Sequence, residues 1–331
     1  MSAEKIIADF KKKTFKPIYW LEGDEPYFID EVVNYAEHNI LSESEASFNL
    51  TIFYGRDANW ADVVNACRRY PMFADRQVVL LKEAQHMKEI EKLEGYLEKP
   101  LPSTVLVVGF KEKKLDGRGK MAKLVKKQEY FFSEKVKDYK LNEWVIGMIK
   151  NHGLEITNKA LVLLVDSIGN DLSRLQNEVE KLVVNLAGRK NITDDDIEKY
   201  IGISKEFNAF ELQDALAKKD MVKAIRIIHY FEANPKAAPV QLILPTLYNY
   251  FSKVYSIFGL PDTNERTVAT LFYNNSFAAK QALQAVNNYG YNGVERILLL
   301  LHHYNLRSIG INNGSADDAD LMKELVVKMM A

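Results

Sequence analysis

Residues 19–31 read YWLEGDEPYFIDE, and this stretch decides the fold of the first part of the chain. A short apolar run, Ile18, Tyr19, Trp20 and Leu21, ends at Gly23. A polar turn holding Pro26 follows, and then Tyr27, Phe28, Val32, Val33, Tyr35 and Ala36 fall at helical spacing. Strand, glycine turn and helix are the layout of a phosphate-binding loop. Such a loop has the form G-x-x-x-x-G-K-[ST]: backbone amides cradle the phosphates, the lysine neutralises them and the hydroxyl binds magnesium. With Gly23 as the first glycine, the second falls on Phe28, the lysine on Ile29 and the hydroxyl on Asp30. None of the three fits, and Glu25 and Asp30 would repel a polyphosphate. The stretch is either an ordinary strand–turn–helix corner or a P-loop fold without its nucleotide, and in both cases hydrolysis here is not expected.

The surrounding pattern extends the α/β character. Leu50–Tyr54, Gln77–Leu81, Thr104–Val108 and Tyr130–Ser133 are further short apolar runs, as expected for strands of a parallel sheet covered on both faces. Between them lie helical patterns such as Trp60, Val63, Val64 and Cys67, with Asp57 or Asn59 available as a cap. The third strand runs into Lys82 and Glu83, where an ATPase of this kind places acids for magnesium and water. A lysine there would repel the cation.

After Lys140 the strands are expected to stop. Helices are read at 141–151, at 158–167 with Thr157 as cap, at 171–186, and from Thr193 with three aspartates in its first turn. The 171–186 helix carries Leu172, Leu175, Val179, Leu182 and Leu186 on one face, a core stripe with no chemistry in it. From Phe207 onward the chain again reads helical, at 209–218, 221–232 and 240–258, followed by three more helices. Loops are expected at Asn274–Asn275 and Asn312–Asn313. The division is thus 1–140 as an α/β domain, 141–205 as a small helical domain and 206–331 as a second helical domain, the two meeting near Ser204–Asn208.

Composition narrows the function. The chain has 331 residues, 44 Lys and Arg against 45 Asp and Glu, and a net charge of −1, which argues against coating nucleic acid by charge alone. Its single cysteine, Cys67, rules out an intramolecular disulfide and reads as a buried thiol. The first residues, MSAEKIIADFKKKTFK, lack the apolar core of a secretory signal, and no window approaches the ~18 apolar residues of a membrane span. A cytoplasmic protein with no membrane partner is expected. The six histidines have no metal-ligand spacing, and no hydrolase or paired-cysteine motif occurs, so no metal or cofactor is expected.

Two stretches carry interaction chemistry. In RRYPMFADRQVVLL (68–81), Pro71 forces the preceding helix to end by Tyr70, so Met72 and Phe73 stand at a corner before the third strand. Apolar residues at such a corner usually fold back onto the core; exposed, they would form a wedge for a partner. Burying both in a partner would contribute roughly 3–6 kcal/mol, against roughly 0–1 for an exposed ion pair. The stretch 111–127, KEKKLDGRGKMAKLVKK, holds eight Lys or Arg against Glu112 and Asp116. Its Lys113, Lys114, Arg118 and Lys120 are candidates for contact with DNA or a neighbouring subunit, beside the ordinary alternative of a solvated face.

Taken in order, LEGDEPYFIDE, RRYPMFADRQVVLLKEA, YLEKPLPSTVLVV, KLDGRGKMAKLV, DLSRLQNEVEKL and ITDDDIEKYIGISKEFNAFELQDAL resemble the delta subunit of bacterial DNA polymerase III, a component of the sliding-clamp loader. The likeness runs from about residue 18 to 255, and beyond that only the helical character agrees. It implies an AAA+-like domain that does not hydrolyse ATP, a helical lid, and a helical collar that holds the loader pentamer together. It places the family's clamp-binding wedge on Met72 and Phe73, with Tyr70 and Pro71 shaping the tip and Met in place of the more usual leucine. The implied partners are the sliding clamp, ATP-hydrolysing and delta-prime-like loader subunits and, through the complex, primed DNA; polymerase activity would belong to the holoenzyme. The Ser-Arg-Cys motif by which active neighbours supply an arginine finger is missing, and Arg118 has the wrong context. The alternatives are a divergent ATPase and a DNA-binding adaptor acting through 111–127.

Overall fold

The computed structural model describes residues 2–186, 188–204, 206–235, 239–273, 275–312 and 316–331. Asn274 and Asn313, expected in loops, and Lys205, at the expected helical junction, lie outside the described residues. The chain divides into two compact units, Met1–Lys137 and Asp138–Ala331.

The first unit runs α1 (Ala3–Lys11), β1 (Ile18–Gly23), α2 (Pro26–Asn39), α3 (Glu43–Asn49), β2 (Leu50–Tyr54), α4 (Trp60–Cys67) and β3 (Gln77–Lys82). Two 3₁₀ turns then lead to α5 (Glu94–Glu98), β4 (Thr104–Lys111), α6 (Lys120–Val125) and β5 (Glu129–Ser133). The five strands pair in parallel in the order β2-β3-β4-β1-β5. This is the P-loop-type parallel sheet expected from the sequence. The alternation of side chains explains the near-continuous apolar runs. Ile18, Trp20, Val79, Leu81, Leu106 and Val108 pack on one face with α4, α5 and α6. Tyr19, Leu21, Val78, Leu80, Val105 and Val107 pack on the other with α1 and α2. Helices cover both faces, so every position of the central strands is core.

The second unit contains α7 (Asp138–Asn151), β6 (Glu155–Ile156), α8 (Asn158–Ile168), α9 (Leu172–Asn185), β7 (Asn191–Ile192) and α10 (Asp194–Asp196), the last continuing into a π turn at Ile197–Ile201. It goes on with α11 (Ala209–Lys218), α12 (Met221–Ala233), α13 (Val240–Ile257), α14 (Glu265–Leu271), α15 (Ser276–Ser308) and α16 (Asp318–Met330). The expectation that strands end after Lys140 is corrected by β6 and β7, which pair in parallel through Glu155–Asn191 and Ile156–Ile192. Two residues a side are too few to show a period in sequence. The caps at Thr157 and Thr193 stand where the sequence placed them: Thr157 accepts from the Ala160 amide, and Thr193 and Asp196 form a capping box. Asp171, read as the first residue of its helix, is instead the cap and accepts from the Arg174 amide. The stripe on α9 is buried throughout. Helices α11 to α16 enclose one large core, and α15 breaks at Gly290, whose φ of 63° lies in the left-handed region.

Candidate interaction site and the degenerate nucleotide corner

Ligands of parallel α/β sheets bind beyond the carboxyl ends of the strands. In the first unit that edge carries Gly23 of β1, Lys82 at the end of β3 with Glu83 after it, Lys111 of β4 and Ser133 of β5. Gly23 has a φ of 142°, and a Cβ there would overlap the Ser133 carbonyl, so β1 and β5 meet backbone to backbone. Only Asp24 and Glu25 separate β1 from α2. Glu25 is buried, and its carboxylate accepts the Tyr27 amide at 3.2 Å as the cap of α2. The Glu25 amide donates to the Ser133 carbonyl at 3.2 Å, and the Ser133 hydroxyl donates to the Glu25 carbonyl at 2.7 Å. Pro26 at the first helical position brings no N–H at all. A phosphate needs several free amides and the positive end of a helix. Here a carboxylate of the chain itself occupies that end. Pro26 just inside a helix start, preceded by an acid, is the sequence signal that marks this arrangement.

The remaining positions of the corner are equally committed. Ile29 is fully buried in the core with Val33 and Leu80, and Phe28 is half-buried beside it. Asp30 lies 2.7 Å from the Lys111 ammonium, which also meets Glu83 at 2.6 Å. Burial alone would lower the Lys111 pKa, but the bonds to Asp30 and Glu83 outweigh it and raise the ammonium above its ordinary value. Burial would raise Glu83, and the bonds from Lys111 and Gln85 hold it below the ordinary carboxylate value. Lys82 turns aside to pair with Glu37 and lies over the Tyr54 ring. Among the described residues, no three His, Cys, Asp or Glu side chains are grouped to hold a metal ion.

The corner between α4 and β3 has the opposite character. Tyr70 is 77% exposed, Met72 54% and Phe73 96%, while Pro71 is half-buried. The alternative that Met72 and Phe73 fold back onto the core is therefore excluded. Their backbone is nonetheless fixed. The Met72 amide donates to Asn49 Oδ1 at 2.7 Å, and Asn49 Nδ2 donates to the Met72 carbonyl at 2.9 Å. Phe73 has a φ of 52°, a left-handed conformation that costs a bulky residue on the order of 1–3 kcal/mol and persists only where the surroundings impose it. Below the tip, Gln77 Nε2 donates to the Ala66 carbonyl at 3.0 Å and the Arg69 carbonyl at 2.5 Å, and the Thr104 hydroxyl donates to the Cys67 carbonyl at 2.8 Å. The carbonyls at the end of α4, which a helix leaves without partners, are thus satisfied from β3 and β4. Arg76 stacks on Phe15, its guanidinium 4.2 Å from the ring centre. Cys67 is buried, and burial pushes its thiol up to about 12.

The basic stretch does not act as one surface. Lys111 points into the Asp30–Glu83 cluster. Arg118 is bound by its own turn, donating to Asp116 at 3.1 and 3.0 Å. Lys120 pairs with Glu98 at 2.8 Å, and Lys114 lies over the Phe132 ring at 4.8 Å. Lys113, Lys123 of α6, and Lys126 and Lys127 just beyond it face solvent. The loop is anchored at Leu115, whose amide donates at 3.4 Å to Glu22. Glu22 is buried, and it also accepts from Trp20 and Tyr130.

The family model described as "DNA polymerase III, delta subunit" matches residues 19–135, the stretch that holds both corners and the basic loop. Over these residues the chain is similar to the DNA polymerase III delta-subunit family. Two curated relatives extend the likeness. A DNA polymerase III subunit delta of Bacillus subtilis is 23% identical over 333 aligned positions, spanning 97% of this chain and 94% of that one. A probable DNA polymerase III subunit delta of Aquifex aeolicus is 25% identical over 284 positions, 79% of this chain and 78% of its own. Among solved structures, a Bacillus subtilis DNA clamp loader delta protein superposes with a TM-score of 0.58 at 20% identity, covering 99% of each chain. The likeness in fold thus spans the whole chain: a parallel α/β domain followed by helices.

The sequence points to both corners but not to the residues that fix them. Asn49 and Gln77 have no local pattern that reveals their targets. Lys111 was counted with the basic stretch, although its charge is spent on the strand edge.

Proposed function

We propose that this chain acts as the delta-type subunit of a DNA polymerase III clamp loader, binding the sliding clamp through Met72 and Phe73, with Tyr70 and Pro71 shaping the tip, and helping to open or hold the ring. The observation that carries this reading is two large apolar side chains held out in solvent on a backbone pinned from β3, β4 and α3. Interfaces draw most of their energy from a few such anchors. Met suits a binding pocket because its unbranched, polarizable chain adapts to shape. The closed β1–α2 corner supports a subunit that hydrolyses no ATP and relies on ATP-hydrolysing and delta-prime-like partners, with primed DNA engaged through the complex. In this reading 1–140 carries the wedge, 141–205 is the lid and 206–331 the collar through which the hetero-oligomer assembles. No helix among the described residues is long and apolar enough to cross a membrane, in keeping with a cytoplasmic role.

The test is binding to the immobilised sliding clamp of the same organism, without nucleotide. Wild-type chain is expected to bind. Met72→Ala with Phe73→Ala is expected to lose at least a hundredfold in affinity, the weaker end of roughly 3–6 kcal/mol of lost burial, with an unchanged melting temperature. Equal binding by the double variant sinks the assignment. A DNA-contacting role has one observation of its own: Lys113, Lys123, Lys126 and Lys127 face solvent. It requires DNA affinity that falls steeply with added salt. Micromolar binding of ATP with magnesium in a titration would instead support a divergent ATPase.

A further inference from the structure

We propose that Asn49 is a positioning residue for the wedge: its side-chain amide holds the Tyr70–Phe73 corner in its binding shape before any partner arrives. This rests on the clamp-binding reading and adds to it a residue 23 positions away in sequence.

Asn49 closes α3 and is only 3% exposed. Its Oδ1 accepts the Met72 amide at 2.7 Å, and its Nδ2 donates to the Met72 carbonyl at 2.9 Å and to the Glu45 carbonyl at 3.0 Å. One side chain thus takes both main-chain groups of a single residue, as a neighbouring strand would. Only a primary amide offers a donor and an acceptor side by side in this way. An aspartate lacks the donor, and an alanine lacks both.

The held segment gains nothing for the core. Tyr70, Met72 and Phe73 are exposed, and the left-handed backbone of Phe73 is not offset by packing of its own ring. Without the amide, Met72 and Phe73 would be free to leave this strained conformation. A buried polar group spent on an exposed loop therefore acts on the shape of the tip, and a tip already in shape loses less freedom on binding. The adjoining Phe48 is itself 68% exposed.

The test is a double-mutant cycle on the full chain against the sliding clamp. Asn49→Ala is expected to weaken binding about tenfold, mostly by slowing association, with the far-ultraviolet spectrum unchanged. Asn49→Asp, which keeps size and acceptor but loses the donor, is expected to weaken it as well. In a Phe73→Ala background Asn49→Ala should change nothing further, an absence of effect that general destabilisation would not produce. If Phe73→Ala binds as wild type does, the clamp-binding reading falls and the positioning role with it. If Phe73→Ala loses binding and Asn49→Ala does not, the positioning role alone falls. Hydrogen exchange in the unmodified chain gives a readout independent of variant folding. The Met72 amide is expected to be protected relative to its neighbours, and exchange at the rate of an open loop overturns the proposal.

Discussion

Two corners of the same domain solve opposite problems. At the β1–α2 corner the polar groups are spent on one another: Glu25 caps its own helix, Ser133 clasps Glu25, and Lys111 draws Asp30 and Glu83 together. At the α4–β3 corner the polar groups are equally well satisfied, by Asn49, Gln77 and Thr104, but the apolar side chains point out. The first corner has the outline of a binding site with its capacity spent on itself. The second has the outline of an ordinary turn with its capacity left unspent. Fold outline therefore says little about where a partner binds; what matters is which groups remain uncommitted once the chain has satisfied itself.

Four measurements break or sharpen this contrast. The largest effect on stability is expected at the closed corner. Gly23→Ala forces a side chain into the Ser133 carbonyl at a φ that disfavours it, and should cost about 3 kcal/mol or more in chemical denaturation. A small loss would mean that β1 and β5 can separate without consequence. Lys111→Met leaves Asp30 and Glu83 facing each other without their cation, and a loss of about 2 kcal/mol is expected. At the open corner the sign should reverse. Phe73→Asn suits the left-handed backbone better than phenylalanine and gives up no burial, so it should stabilise the chain by up to about 1 kcal/mol while clamp binding is lost. A stabilised variant that still binds would separate the strain from the function.

The smallest effect concerns pH. Glu83 is held below its ordinary value of 4.5, so its contribution is present above that pH and fades as pH falls through the lower folded-state value. Lys111 is held above 10.5, so its contribution is present below that pH and fades only as pH rises past the folded-state value. The closed corner should therefore loosen in acid below about pH 4.5. The open corner is pinned by neutral amides and a hydroxyl and should not. Amide exchange followed separately at Tyr27 and Met72 reads the two corners, and parallel loosening of both would contradict the assignment of these pins.

Much of this was legible in the sequence for reasons that are local. Strands buried on both faces show as runs such as QVVLL, and Thr157 and Thr193 announce helices within one turn. The missing lysine at Ile29 needed only the spacing from Gly23. Pro71 fixed the end of α4 and put Met72 and Phe73 at a corner, although it could not say which way they face. What stayed hidden depends on contacts far apart in sequence. The Asn49–Met72 pair spans 23 residues, and the bond between Leu115 and Glu22 spans 93. Charge counting is misleading for the same reason, because Lys111 and Lys120 look alike in sequence and differ only in the acids the fold brings to them.

Gln77 has a consequence beyond its hydrogen bonds. It begins β3, an inner strand of the sheet, and grips the carbonyls from which the exposed tip departs. A load on Phe73 therefore passes within a few residues into an inner strand of the sheet.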